Sequence, residues 1–218
     1  MESSDNFDLG LIFNSKIIKI NASLYYGKQN NVLATVFDPR VNANYAQNAG
    51  KITVKGAEFE SYMEFTKGLV FFLNPSYNYV AYDNDIEMRQ GTPATKTIIP
   101  IGGKQSPATP KIMVKTGLMY SYKELNANIF LNHIGERFGD ALNNERVTDY
   151  TLFDSSFTYK PSFNNTAFKN MTLGIEMKNI TNRKYVGIIN TNDESQGNSA
   201  SYLTGFPRTI VGTIGFNF

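Results

Sequence analysis

The sequence contains no cysteine, no tryptophan and a single histidine among its 218 residues. The lack of cysteine excludes a disulfide scaffold and a thiolate metal site. Because His133 is the only imidazole, the chain also offers a poor basis for a hydrolase triad and for a zinc site with several histidines. We therefore expect a protein that is not an enzyme and that holds no metal or cofactor.

Long apolar runs and an excess of one charge are missing as well. No stretch approaches the roughly 20 apolar residues that a transmembrane helix needs, which excludes a helical membrane protein. With 21 Lys and Arg against 19 Asp and Glu, the net charge is only +2, which disfavours nucleic-acid binding through a basic stripe. The first residues, MESSDNFDLGLIF, contain neither a basic nor an apolar region of the kind that opens a secretory signal.

Aromatic residues and alternating patterns are abundant instead, with 16 Phe and 13 Tyr. The clearest alternation lies in residues 206–218. One face of that segment carries Ile210, Gly212, Ile214, Phe216 and Phe218. An alternating strand that runs to an aromatic last residue predicts the closing strand of an outer-membrane β-barrel, where every second residue faces lipid.

Period-two segments separated by turns continue through the whole chain, and they predict about nine strands. The segments are 7–13, 17–27, 51–63, 68–82, 111–122, 126–134, 150–160, 171–179 and the terminal strand. Short turns alternate with longer loops at 28–49, 83–109, 139–147 and 186–205. This alternation is typical of transmembrane barrels with periplasmic short turns, and since bacterial single-chain barrels have even strand numbers, an odd count predicts missing strands.

Five ordered segments carry a family resemblance. KGAEFE at 55–60, after NAG at 48–50, resembles "N-x-G … G-h-E-h-E", and GERFGD at 135–140 is similar to "G-x-R-Y-x-D". YTLFD at 150–154 resembles "Y-x-L-x-D", NITNRKY at 179–185 resembles "N-L-F-N-K-K-Y", and GFPRT at 205–209 resembles "G-x-P-R-T". Together they resemble the C-terminal part of a TonB-dependent outer-membrane receptor over nearly the whole chain.

The resemblance implies an all-β fold, a partial antiparallel transmembrane β-barrel in which residues 1–218 supply about nine of an expected 22 strands. It implies a Gram-negative outer-membrane location and TonB-dependent uptake of a ferric siderophore or iron citrate, with the ferric complex as transported ligand. The implied partners are outer-membrane lipid, an N-terminal plug, the remaining barrel strands, the TonB complex acting through the plug, and the barrel-assembly machinery.

An open sheet in lipid has two costly unpaired edges. We therefore expect the chain to be inactive alone, either as a truncated gene product or as one part of a split receptor that lacks the plug here.

Candidate ligand-binding residues lie in the predicted extracellular loops. Arg40, Arg89 and Lys96 would suit an anionic iron complex, because arginine binds carboxylates through two hydrogen bonds and a positive field speeds encounter. Phe216 and Phe218 match the terminal aromatic signal for barrel assembly that the resemblance implies.

Other polar residues receive less specific expectations. Lys19, Glu58, Glu60, Glu176 and Lys178 fall on the polar side of their strands, and we expect structural charges of the barrel lumen there. The segment 83–87 has the carboxylate spacing of a calcium loop but lacks its turn glycine, so a solvated loop is expected. For His133 we expect a role at the membrane interface or the surface.

Two other classes of protein stay open from the sequence. A passive porin or adhesin-type barrel would lack a plug and a TonB-contacting segment. A soluble carbohydrate-binding β-sandwich would bury its apolar residues between two sheets.

Overall fold

The computed structural model describes residues 1–38, 42–48, 50–90, 95–161, 171–194 and 196–216. In order, its strands are β1 (Ser3–Asn14), β2 (Ile18–Asn30), β3 (Leu33–Asp38), β4 (Ala43–Asn48), β5 (Lys51–Thr66), β6 (Leu69–Tyr82), β7 (Ile86–Gln90), β8 (Thr95–Ile99), β9 (Ile112–Tyr122), β10 (Leu125–Ile134), β11 (Arg137–Phe138), β12 (Arg146–Val147), β13 (Tyr150–Tyr159), β14 (Met171–Lys178), β15 (Val186–Thr191), β16 (Ala200–Thr204) and β17 (Thr209–Phe216). Across these ranges, no helix is long and apolar enough to cross a membrane.

Nine long strands form one sheet in the order β1-β2-β5-β6-β9-β10-β13-β14-β17. Every neighbouring pair is antiparallel, so the sheet is a meander that follows the chain. The predicted number of strands is thereby confirmed. Within the described ranges, β1 and β17 each pair with a single neighbour, and the sheet is therefore open.

The strand register separates the sheet into an apolar face and a polar face. Leu9 pairs with Leu24, Leu24 with Ala57, and Ala57 with Tyr77, so these residues share the apolar face. The large side chains of this face lie in the open, with Leu9 59% and Ile129 47% exposed. Contiguous exposed apolar surface of this extent indicates a lipid or protein environment. It also contradicts a β-sandwich, in which a second sheet would cover this face.

Four short hairpins occupy the connections at the end of the sheet opposite the short turns. We call this end the long-loop end. They are β3–β4, β7–β8, β11–β12 and β15–β16. The predicted longer loops at 83–109 and 186–205 do connect strands of the sheet, and the structure adds that β7, β8, β15 and β16 form within them. Their alternation is hard to recognise because each strand has only five or six residues and buries few of them.

Most buried apolar residues of the described chain gather where these hairpins meet the ends of β5 and β6. This cluster, the cap core, consists of Ala34, Val36, Ile52, Tyr82, Ile86, Ile99, Ile101 and Ala141. Ile52 and Tyr82 share the polar face with Glu58 and Ser76, since alternate residues of a strand point to one side. The hairpins therefore lean over the polar face of the sheet.

Candidate functional site

Two of the three predicted ligand-binding residues fall in the β7–β8 hairpin of the long-loop end. Arg40 lies outside the described residues. Arg89 and Lys96 are in β7 and β8, and the backbone register places them directly opposite each other. Lys96 Nζ is 2.6 Å from Glu87 Oε2, and both side chains are largely exposed. An exposed ion pair of this kind contributes little to stability.

Contacts between hairpins hold this region together. The Gln47 side-chain amide donates to the Glu87 carbonyl, which joins β4 to β7. The Glu194 amide donates to the Thr35 carbonyl at 2.9 Å, and the Tyr82 hydroxyl donates to Glu194 Oε2 at 2.5 Å. Burial and the neighbouring Glu194 carboxylate raise the pKa of Tyr82, so its hydroxyl stays protonated and keeps donating. Segments far apart in sequence thus form one surface.

A second site lies where β13, β14 and β17 reach the long-loop end, and Asn179 is at its centre. Asn179 is 3% exposed and has a φ of 50°. Its side-chain amide donates to the carbonyls of Arg183 at 2.9 Å and Phe206 at 3.0 Å, and its side-chain oxygen accepts from the Arg183 amide at 2.8 Å. Its backbone amide donates to Asp154 Oδ1 at 2.8 Å. Three of the sequence motifs therefore meet at one residue.

Aromatic packing extends this site. The rings of Tyr150 and Tyr185 have centroids 4.4 Å apart, and the Arg137 guanidinium lies 5.4 Å from the Tyr150 centroid. Arg137 also donates to the Val186 carbonyl at 2.7 Å. A side chain at position 205 would collide with the Tyr185 ring, which explains the glycine there. We call Arg137, Tyr150, Asp154, Asn179, Tyr185 and Gly205 the strand-end junction.

Carboxylates near this junction satisfy backbone donors rather than forming a metal site. The fully buried Asp140 accepts from the amides of Asn144 at 2.8 Å and Glu145 at 3.0 Å. The Tyr202 hydroxyl donates to the Glu145 carboxylate. Burial, together with that carboxylate, raises the pKa of Tyr202 to about 12. Among the described residues, no group of three or more His, Asp or Glu side chains could hold a metal ion.

The candidate calcium segment has separate hydrogen-bonding partners for its carboxylates. Asp83 Oδ2 accepts from the Thr53 hydroxyl at 3.0 Å, and Asp85 Oδ1 accepts from the Gly102 amide at 2.8 Å. The intervening Ile86 belongs to the cap core. The segment therefore stabilises the loop itself.

The polar face carries charged residues along its length. The register places Lys19, Glu58, Glu60, Glu176 and Lys178 on this face, which confirms their predicted side. Glu176 and Lys178 form an ion pair at 3.3 Å, and Glu60 accepts from Asn21 at 3.2 Å. In the part of the chain that the structure describes, Glu58 and Glu60 form no ion pair.

His133 and Phe216 lie on the apolar face. His133 Nδ1 is 3.0 Å from Thr151 Oγ1, near the long-loop end. Phe216 pairs with Met171 at the opposite end of the sheet and is 44% exposed. Phe218 lies outside the described residues, so an assembly signal at these two positions stays a prediction.

Sequence reasoning identified the motifs of the strand-end junction without their mutual contacts, and it missed the cap core. Ile86 and Ile99 pair across the β7–β8 hairpin, and both are buried. The signal available was a pair of isoleucines on either side of a short segment that contains glycine and proline, a sequence pattern typical of a hairpin.

Comparisons with known proteins agree with this geometry. The FyuA ferric yersiniabactin uptake receptor of Yersinia pestis is similar, with 19% identity over 99% of this chain and 30% of the receptor at a TM-score of 0.71. The unliganded ferric citrate transporter FecA has 18% identity over 95% of this chain and 30% of its own, at 0.72. The copper transporter OprC has 14% identity over 100% of this chain and 31% of its own, at 0.73.

These solved structures support the fold alone, and the chain spans about 30% of the length of each. Among curated proteins, no match to this sequence is found. The family described as TonB dependent receptor-like, β-barrel, matches residues 1–180. The chain therefore belongs to the β-barrel family of TonB-dependent receptors, an outer-membrane family of transport receptors.

Proposed function

We propose that this chain is the C-terminal barrel part of a receptor for TonB-dependent uptake of a ferric complex. The observation that carries the proposal is the nine-stranded meander, whose apolar face is exposed and whose hairpins gather over its polar face. The names of two similar structures, a ferric yersiniabactin receptor and a ferric citrate transporter, favour an iron complex of siderophore or citrate type as the transported ligand. The copper transporter makes copper the second candidate.

This proposal assigns each face and end of the sheet to an environment. The apolar face contacts outer-membrane lipid and the polar face lines the lumen, as in barrels that alternate apolar and polar residues. The short turns are periplasmic, and the hairpins of the long-loop end are extracellular. Strands of 8 to 16 residues are compatible with the roughly 9–11 residues that a tilted strand needs to cross the hydrocarbon region.

Further strands would have to pair with β1 and β17. An unpaired strand edge in hydrocarbon costs several kcal/mol for each unsatisfied backbone group. Strands from the same polypeptide or from a second one would remove that cost and close the barrel. The chain alone is then inactive.

A plug inside the lumen would supply partners for the carboxylates of the polar face. Glu58 and Glu60 stand on that face without an ion pair among the described residues. Basic residues of a plug would balance their charge once water is displaced. The TonB complex would act through that plug, and the barrel-assembly machinery would recognise Phe216 and Phe218.

Uptake measurements test the proposal. Cells that produce the complete receptor should accumulate radioactive iron supplied as ferric citrate or a ferric siderophore, and removal of TonB should abolish that accumulation. A passive porin would continue to admit the complex without TonB, so TonB-independent uptake would contradict the proposal. Parallel uptake of labelled copper distinguishes the second candidate.

Substitution of the cations in the β7–β8 hairpin should weaken ligand binding. Arg89 and Lys96 face each other in register, and together they would present two positive charges to an anionic complex. We expect Arg89→Ala combined with Lys96→Ala to raise the Kd of the complete receptor at least tenfold, since the loss of even one charge-assisted hydrogen bond of about 1.5 kcal/mol corresponds to about a tenfold change. Lys16→Ala, in a short turn at the opposite end, is the matched control. Unchanged affinity would remove this hairpin from consideration.

A further inference from the structure

A lysine interrupts the apolar face near the long-loop end. Lys55 shares that face with Ala57 and Phe59, and its register neighbours are Tyr26 on β2 and Tyr79 on β6. Its Nζ lies 4.8 Å from the centroid of the Tyr79 ring. A lysine on the lipid-facing side costs about 2–4 kcal/mol at the midplane and far less at the interfaces. The free-energy cost of Lys55 therefore depends on its depth in the apolar band.

The distance along the strand places Lys55 at the membrane boundary. Tyr79, the register partner of Lys55, lies on the same face of β6 as Leu69, ten residues away, which is roughly 33 Å along the strand at about 3.3 Å per residue. Because barrel strands tilt by about 40°, that length spans a height of about 25 Å, which matches the apolar band of outer-membrane barrels. The other boundary has its own aromatic pair, the stacked rings of Tyr120 and Tyr122. Lys55 is thus level with the lipid head groups at the long-loop end.

Two further lysines accompany Lys55. Lys111 Nζ lies 5.9 Å from the centroid of the same Tyr79 ring. Lys28 pairs with Thr53, two residues along β5 from Lys55, so the two lysines are diagonal neighbours on one face. All three lysines are exposed, and Asp5, the register partner of Lys28, forms no ion pair with it in the described ranges. Three like charges held this close favour an anion between them.

A cavity of about 520 Å³ adjoins Lys111. Its lining includes Ile112, His133, Gln105 and Arg146. Because Ile112 and His133 belong to the apolar face, the cavity opens on that side of the sheet. The lining also includes Asp149 and Glu136, of which Glu136 is bound to Arg146 at 2.7 Å. Polar groups that can donate hydrogen bonds therefore lie beside the lysines, at the level of the head groups.

We propose that Lys28, Lys55, Lys111 and the adjoining cavity bind the phosphate of a lipid head group in the outer leaflet. This inference rests on the proposed placement of the apolar face in the outer membrane. Tyr79 holds the Lys55 and Lys111 ammonium groups over one ring, and a phosphate between them accepts charge-assisted hydrogen bonds from both. The patch gives the barrel a fixed lipid contact that is separate from the ligand-binding hairpins.

Lipid retention by the complete receptor tests the site. The protein in mild detergent is titrated with a phosphorylated glycolipid, phosphatidylglycerol, a neutral diacylglycerol or inorganic phosphate, and bound molecules are counted by native mass spectrometry. Each basic residue at an anionic membrane surface contributes about fivefold in affinity, so Lys55→Gln with Lys111→Gln should weaken retention of the phosphorylated lipids about 25-fold. Lys115→Gln is the matched control, since Lys115 lies 5.3 Å from the Phe130 centroid on the polar face.

The outcomes separate this inference from the proposed function. Weakened retention of both phosphorylated lipids supports phosphate recognition, and weakened retention of one identifies its source. Unchanged retention, equal binding of diacylglycerol, an equal loss in Lys115→Gln, or binding of inorganic phosphate without retention of either phosphorylated lipid overturns the site. TonB-dependent uptake is measured on the same variants and should be unchanged, so a failure of uptake in the parent protein contradicts the proposed function and leaves the lipid result standing.

Discussion

Replacing Ile129 with lysine should destabilise the assembled barrel by about 2–4 kcal/mol, the cost of a charge on the lipid face at the bilayer midplane. Ile129 lies in the middle of β10 on the apolar face, paired with Leu118 and Ser155, and it is 47% exposed. In lipid, the lysine ammonium at this depth has neither water nor a carboxylate partner. The free energy of unfolding in lipid vesicles, followed by circular dichroism because the chain has no tryptophan, measures the effect.

The neighbouring substitution Asn128→Lys is the control. Asn128 lies on the polar face, between Met119 and Ser156 in register, and its side chain donates to the Ser156 hydroxyl at 3.0 Å. A lysine there would enter the aqueous lumen, so we expect a loss of less than about 1 kcal/mol, which is the scale of one hydrogen bond. Equal destabilisation by the two variants would show that the two faces have the same environment and would contradict the assignment of lipid and lumen.

Truncation of Asn179 should have an effect of similar size, about 3 kcal/mol. Asn179→Ala removes two donated hydrogen bonds and one accepted one, and it leaves the carbonyls of Arg183 and Phe206 without their partner inside a buried site. Each buried group that loses its partner costs about 1–3 kcal/mol, and bonds made by one side chain do not add fully. The φ of 50° adds to the loss, since asparagine tolerates the left-handed region better than alanine.

Two further variants make this prediction specific. Asn179→Asp retains an oxygen for the Arg183 amide but sets a carboxylate oxygen against the carbonyls of Arg183 and Phe206, so it should be at least as destabilising as Asn179→Ala. Asn21→Ala, which removes one exposed side-chain hydrogen bond to Glu60, should change stability by less than about 0.5 kcal/mol. If Asn179→Ala were no more harmful than Asn21→Ala, the strand-end junction would not stabilise the barrel.

The sheet could be predicted from the sequence because its physical constraint is local. A strand between lipid and lumen must alternate at every second residue, and this pattern is present in segments such as Ile18 to Tyr26. The short hairpins lack that constraint. Of the side chains that the structure describes in β7 and β8, only Ile86 and Ile99 are buried, so these strands show no alternation of buried and exposed residues. The contacts of the candidate site are also non-local, since Asn179 binds a carbonyl 27 residues away and Tyr82 binds Glu194 across 112 residues.

The same limit applies to the predicted ligand residues. Their charge could be read from the sequence, whereas the pairing of Arg89 with Lys96 depends on the register of a hairpin. The ion pair between Lys96 and Glu87 depends on side-chain geometry within that hairpin. The unusual position of Lys55 could be predicted from the sequence, because this lysine breaks the apolar series of Ala57, Phe59 and Met63 on its face.

The cap core restricts how the hairpins of the long-loop end can change over evolutionary time. Val36, Ile86 and Ala141 come from separate connections, yet they share one interior. A segment transplanted singly from another receptor would leave voids or clashes in that interior, and each lost apolar contact would loosen the other segments. New specificities should therefore arise through exposed positions of the existing hairpins or through exchange of all the hairpins as a set.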